Sequence, residues 1–241
     1  TDYNDAIPFH IWIISGSPGT NIMDHAAARR HMVDSQILPN RVTDERIIDI
    51  MSTLPRETFV PDTRKSIAYV DEALDIGNGR FLMEPMVTAR LLQTASPKAD
   101  DVALVIGCSS GYTAACLARI VSAVVAIEGD KQMALKANEA LAELEIDNVA
   151  IMDGDLASGY PGQAPYDLIV FDGAVPNIPD TIKNQLAEGG RLIAIIGGQS
   201  EAVPGSAVLI TRFHDSFSQR NIFELGTPML PGFEQNSGFQ F

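Results

Sequence analysis

Four short stretches of this chain carry residue types that hold a sugar-bearing ligand, and each directly follows an apolar run. The first is Gly107-Cys-Ser-Ser-Gly111, where small residues at the start of a helix leave backbone N–H groups open to a polar ligand. The second is Glu128, an acid placed to grip both hydroxyls of a ribose. Gly154-Asp155-Leu156 and Asp172-Gly173-Ala174 complete the series. Each alone is an ordinary turn glycine or a solvated loop acid. Their coincidence, in order, favours a ribose-bearing ligand. A dinucleotide is the competing occupant, but the turn lacks the Gly-x-Gly-x-x-Gly spacing that lets a pyrophosphate approach.

These stretches need a scaffold that brings them to one edge. Apolar runs at 102–106, 123–127, 149–152, 166–171 and 191–196 read as strands, with helices expected at 112–121, 130–144 and about 179–187. Continuous apolar strands alternating with helices predict a parallel sheet covered on both faces. Residues 207–213 and 221–225 read as strands with no helix between, hence an antiparallel pair at one edge. The fold class is therefore α/β: a Rossmann-like, doubly wound, seven-stranded sheet preceded by N-terminal helices. One helix runs from Asp24 until Pro39 stops it, and a second is capped by Thr43 and ended by Pro55. Residues 55–85 read as loop with short pieces, after which Pro85 opens a helix to about Ala95.

The 241 residues, 46% of them hydrophobic, suffice for one large α/β domain. A net charge of -14 repels a phosphate backbone, so nucleic acid is not an expected partner. The two cysteines, Cys108 and Cys116, make neither a disulfide framework nor a zinc pattern. No metal is expected, and a reducing cytoplasm suits them. The apolar run 7–14 is far shorter than the roughly 20 residues a bilayer span needs and contains Pro8 and His10. Asp2 and Asp5 before it argue against a cleaved signal.

Longer motifs point further. Pro55-Arg-Glu-Thr-Phe-Val-Pro61, Ala68-Tyr-Val-Asp-Glu-Ala-Leu-Asp-Ile-Gly77, Ser110-Gly-Tyr-Thr-Ala-Ala115 and Ala126-Ile-Glu128 stand in order along the chain. Asn148-Val149 with Gly154-Asp155, Ala164-Pro-Tyr-Asp167 and Gln185-Leu-Ala-Glu-Gly-Gly-Arg-Leu192 follow. From Met32 to Phe241 the chain resembles the protein-L-isoaspartate O-methyltransferase family, a class I S-adenosylmethionine-dependent group. The resemblance implies that Gly107, Cys108, Ser109 and Gly111 wrap the methionine part of S-adenosylmethionine. It further implies that Glu128, with Gly129, holds the ribose, that Asp155 and Leu156 flank the adenine, and that Asp172 lies nearby.

Three departures alter the expectation. Val105 replaces the usual acid before the turn, Ser109 replaces its middle glycine, and the acceptor-side motif reads Gly79-Arg-Phe-Leu-Met-Glu-Pro85, with Met83 at the family's serine. Methionine cannot donate a hydrogen bond to an acceptor carboxylate. Glu84 beside it repels one unless Arg80 offsets the charge. No catalytic residue is assigned; Arg80, Glu84 and Asp172 are the candidates around Met83. A carboxylate acceptor is already ionised and needs no strong base, so the scattered His10, His25, His31 and His214 are given no role.

The implied activity is methylation of a carboxylate on a protein or peptide, or of a small-molecule acceptor. The alternative is a degenerate methyltransferase fold serving as an interaction module. Residues 1–23 are an extension without an assigned role. Residues 24–98, carrying the acceptor-side loop, and 99–241, the cofactor-binding core, are expected to form one structural domain. The sequence assigns no oligomeric state.

Overall fold

A computed structural model of the chain describes residues 24–200 and 203–233. The extension at 1–23, with its apolar run, lies outside the described residues. Among those described, no helix is long and apolar enough to cross a membrane.

The unbroken apolar runs form the buried middle of one sheet. Strands β3 (Val102–Ile106), β4 (Ala123–Glu128), β5 (Val149–Asp153), β6 (Tyr166–Val175) and β7 (Leu186–Ser200) pair in parallel. β8 (Val203–Phe213) runs antiparallel to β7, and β9 (Ser216–Leu225) antiparallel to β8. The seven strands lie in the order β5-β4-β3-β6-β7-β8-β9. The chain winds from β3 out through β4 and β5, then returns to place β6 on the other side of β3. Strand order therefore reverses between β3 and β6, where an open sheet leaves a crevice at its carboxyl edge.

Helices α3 (Pro85–Ala95), α4 (Tyr112–Ala118) and α5 (Lys131–Glu143) cover the sheet, joined by the N-terminal α1 (His25–Met32) and α2 (Glu45–Thr53). Met32, Ile47, Met51, Leu91 and Leu92 share one apolar cluster with Ala103 and Val105 of β3. Residues 24–98 and the sheet are thus built on a common core, and the valine at the expected acid position is a fully buried part of it. An acid there would be desolvated among aliphatic groups.

Several elements differ from their sequence expectation. The helix expected from Asp24 to Pro39 is α only to Met32, then widens to a π turn (Val33–Ile37) and tightens to a 3-10 turn around Pro39, which has no N–H to continue the ladder. Asp44, not Thr43, caps α2 by accepting from Arg46 N, while the Thr43 N–H donates to Gln93 Oε1 at 2.6 Å. The helix expected at 179–187 is only α6 (Asp180–Lys183), because Leu186 already pairs with Tyr166 in the sheet. β9 begins five residues earlier than its apolar stretch, through residues that are exposed and polar except for the half-buried Phe217 and that hairpin pairing with β8 holds extended. Within 55–85 lies a hairpin, β1 (Leu74–Gly77) and β2 (Arg80–Leu82), turned by Asn78 and Gly79 with φ of 55° and 69°. Such Asn-Gly turns match the twist of the strands they join.

Arg56 ties this hairpin region to the start of α4. Its guanidinium is wholly buried, donates from Nε to Ala68 O at 2.7 Å and from Nη2 to Met83 O, and lies over the Tyr112 ring at 4.8 Å. Replacing Arg56 with Met should lower unfolding stability by about 2–5 kcal/mol, since two buried carbonyls lose their donor. Lysine should restore only part of this, lacking the forked geometry. Urea unfolding of the two variants measures it, and an unchanged midpoint for Arg56→Met would contradict the clamp.

Candidate functional site

Glu128 ends β4 with its side chain folded under the glycine turn. Oε2 accepts from Ser109 N at 2.7 Å and from Arg80 Nη2 at 2.8 Å, while Oε1 accepts from Gly129 N at 3.0 Å and Asp130 N at 3.1 Å. Glu128 and Arg80 are only 1% and 3% exposed, so this is a buried ion pair whose carboxylate is saturated with N–H donors. Arg80 reaches it from β2 and also donates to Gly107 O at 2.7 Å. Its charge is therefore committed to Glu128 and the turn, whereas the sequence had set it beside Glu84. Glu84 instead accepts from Thr227 Oγ1 at 3.0 Å. Burial raises the Glu84 carboxyl above its ordinary pKa, partly opposed by that bond.

The turn keeps its shape despite Ser109. This residue has φ 56°, a left-handed conformation that costs a side chain about 1 kcal/mol relative to glycine. Its Oγ donates to Phe81 O at 3.3 Å, so the extra hydroxyl is used on the neighbouring loop. Cys108 and Gly111 sit behind the turn. Cys108 is fully buried, and burial pushes its thiol well above the ordinary range, which leaves it an unreactive packing group. Gly111 has φ 96°, and a Cβ there would lie 3.2 Å from Ala137 Cβ, so the glycine admits close packing of α5.

Glu128, Gly129, Asp155 and Leu156 line one open cleft of about 460 Å³, together with Arg80. Asp155 also caps the 3-10 turn Leu156–Ser158, and Leu156 is a buried apolar wall. The sequence missed Asn78, which lines the cleft and donates to Asp130 Oδ2 at 2.9 Å, and it missed Pro231 and Gly232. The Asn-Gly turn signal was available for the first; the last two come from a segment with no periodicity to read.

The other half of the edge, above Gly107 and Gly173, is nearly solid. Arg80, Met83, Asp172 and Leu230 surround a crevice of about 10 Å³. Asp172 is 5% exposed and accepts from Thr113 Oγ1 at 2.5 Å. Burial raises its carboxyl to about 7, against the lowering effect of the Thr113 bond and of Arg80. The apolar wall of Leu156 and the open volume fit the adenine of S-adenosylmethionine, whereas Glu128 can accept from its ribose hydroxyls only by giving up one of its present donors. The residues do not fit its methionine part while Leu230 lies where it does.

The family model for Protein-L-isoaspartate(D-aspartate) O-methyltransferase (PCMT) matches residues 27–215. The chain is 39% identical over 192 residues to Protein-L-isoaspartate O-methyltransferase 1 of Rhodopseudomonas palustris (strain HaA2), covering 78% of each protein. It is 40% identical over 172 residues to Protein-L-isoaspartate O-methyltransferase of Methanoregula boonei, covering 71% of this chain and 79% of the relative. A solved protein-L-isoaspartate O-methyltransferase superposes with a TM-score of 0.73 at 24% identity, covering 85% of this chain and 67% of the other. A Plasmodium falciparum beta-aspartate methyltransferase, solved with S-adenosyl-L-homocysteine, gives a TM-score of 0.71 at 19% identity, covering 86% and 98%. The chain belongs to the protein-L-isoaspartate (D-aspartate) O-methyltransferase family and has the class I S-adenosylmethionine-dependent methyltransferase fold.

Proposed function

We propose that the chain methylates a carboxylate of a protein or peptide, holding the adenosine part of S-adenosylmethionine in the cleft between Glu128 and Leu156. The observation that carries this reading is the convergence of Glu128, Gly129, Asp155 and Leu156, from the ends of two adjacent strands, on one open cleft. S-adenosylmethionine supplies a methyl group on a positively charged sulfur. The chain's own residues have positioning and water exclusion to perform, because an ionised carboxylate needs no proton removed. Met83 and Asp172, both at the crevice above the turn, mark the acceptor side.

A second reading, a methyltransferase fold retained as a binding module, is favoured by Leu230 and Arg80 filling the methionine half. Titration calorimetry with S-adenosylmethionine separates the two: no heat at millimolar ligand would end the enzyme reading.

Two predictions follow from the acceptor side. Met83→Ser restores a hydroxyl able to orient a carboxylate, and should raise kcat/KM for an isoaspartyl peptide by about ten-fold, the value of one good hydrogen bond. Labelled-methyl transfer measures it, and an unaltered rate would remove Met83 from the acceptor site.

Asp172 gives a pH dependence of known sign. Its carboxyl is raised from 3.8 to about 7, so between those values the native chain keeps a proton that the unfolded chain has released. Native stability should fall as pH rises through this window and carry the full cost above it. Asp172→Asn should therefore stabilise most at about pH 8, by up to about 4 kcal/mol, and least at about pH 4. Urea unfolding at the two pH values checks this; an effect equal at both would mean that Asp172 is not held protonated by the fold.

A further inference from the structure

We propose that Leu230 sets the cofactor affinity of this chain by plugging the methionine half of the cleft from within, an inference that rests on the cofactor reading above. Gly107 directly follows β3 and Gly173 lies in the neighbouring parallel strand β6, on the two sides of the point where strand order reverses. At both positions the space a side chain would take belongs to Leu230. A Cβ on Gly107 would fall 2.7 Å from Leu230 Cδ2, and one on Gly173 would fall 2.8 Å from Leu230 Cγ. The leucine is 4% exposed and leaves only about 10 Å³ beside it.

Among the hydrogen bonds described, three hold the segment carrying Leu230, the first from Thr227 Oγ1 to Glu84 Oε2 at 3.0 Å. Ala174 N donates to Pro228 O at 3.0 Å and Leu230 N to Ala174 O at 2.7 Å, the two ends of a single bridge onto β6. Phe233 adds one ring contact, its centroid 5.8 Å from that of Phe171. Gly226 precedes the segment and Gly232, with φ 82°, follows the leucine. The family match stops at residue 215, so the plug comes from outside the matched residues. A nucleoside without a tail can enter the open half with Leu230 in place. A ligand bearing the methionine tail must lift Leu230, and its apparent affinity is reduced by the fraction of chains in which the segment is lifted.

Titration calorimetry of the full chain and of Leu230→Ala, with adenosine and with S-adenosylhomocysteine, tests the plug. Adenosine should bind both proteins equally, and S-adenosylhomocysteine should bind the variant tighter by on the order of ten-fold or more. Equal S-adenosylhomocysteine affinities, with adenosine bound by both, would overturn the plug and leave the cofactor reading standing. Adenosine bound by neither would overturn both. Should Leu230→Ala fail to fold, amide hydrogen exchange of the unaltered chain decides: bound S-adenosylhomocysteine should speed exchange at Ala174 and Leu230. Undiminished protection at those two amides in the complex would overturn the proposal.

Discussion

A single buried ion pair organises the carboxyl edge of this sheet. Glu128 and Arg80 are both almost fully removed from water, a cost that their mutual attraction alone barely offsets. The surrounding hydrogen bonds complete the compensation. Ser109, Gly129 and Asp130 donate backbone N–H groups to the carboxylate, and Gly107 offers its carbonyl to the guanidinium. The glycine turn, the start of α5 and the β1–β2 hairpin are therefore fixed with respect to one another by the same charges. Breaking such a pair by removing one partner strands the other as a buried uncompensated charge, which makes the arrangement far more committed than a surface contact.

This commitment explains why Ser109 is tolerated. Its backbone N–H points at Glu128, so the turn must pass through the left-handed region whatever the side chain. The strain is small beside the loss of a charged hydrogen bond. Val105 follows a similar logic from below the turn. It faces the core shared with α2 and α3, where an acid would be desolvated among aliphatic side chains. Ser109 and the cationic side chain of β2 belong to one electrostatic arrangement, and Val105 to the apolar core beneath it.

Much of the fold was legible in the sequence because burial on both faces writes an unmistakable apolar run. Residues 102–106 and 123–127 of β3 and β4 could hardly be anything else. The same reasoning places Glu128, Asp155 and Leu156 at one edge from the sequence alone. What the sequence hid depended on pairing across long separations. The first residues of β9, apart from Phe217, are polar and exposed and are held extended by β8 beside them. Arg80 read as a partner for its neighbour Glu84, since adjacency is visible in a sequence and a 2.8 Å contact with Glu128 is not. Leu230 carried no signal at all: two apolar residues, Met229 and Leu230, between prolines have no period.

The hidden residues alter the meaning of the visible ones. A glycine turn beside an acid ordinarily reads as empty space shaped for a ligand. Here the space over Gly107 and Gly173 is filled by aliphatic carbon, and the acid is already paired with a guanidinium. Any ligand with a cationic group must then compete with Arg80, which is tethered beside Glu128 by the chain and so present at high effective concentration. A ligand that leaves the ion pair intact and uses only the apolar wall at Leu156 and the polar groups of Asp155 faces no such competition. The two halves of the cleft consequently differ in kind: one is preformed, and the other opens only at the expense of contacts that the protein makes with itself.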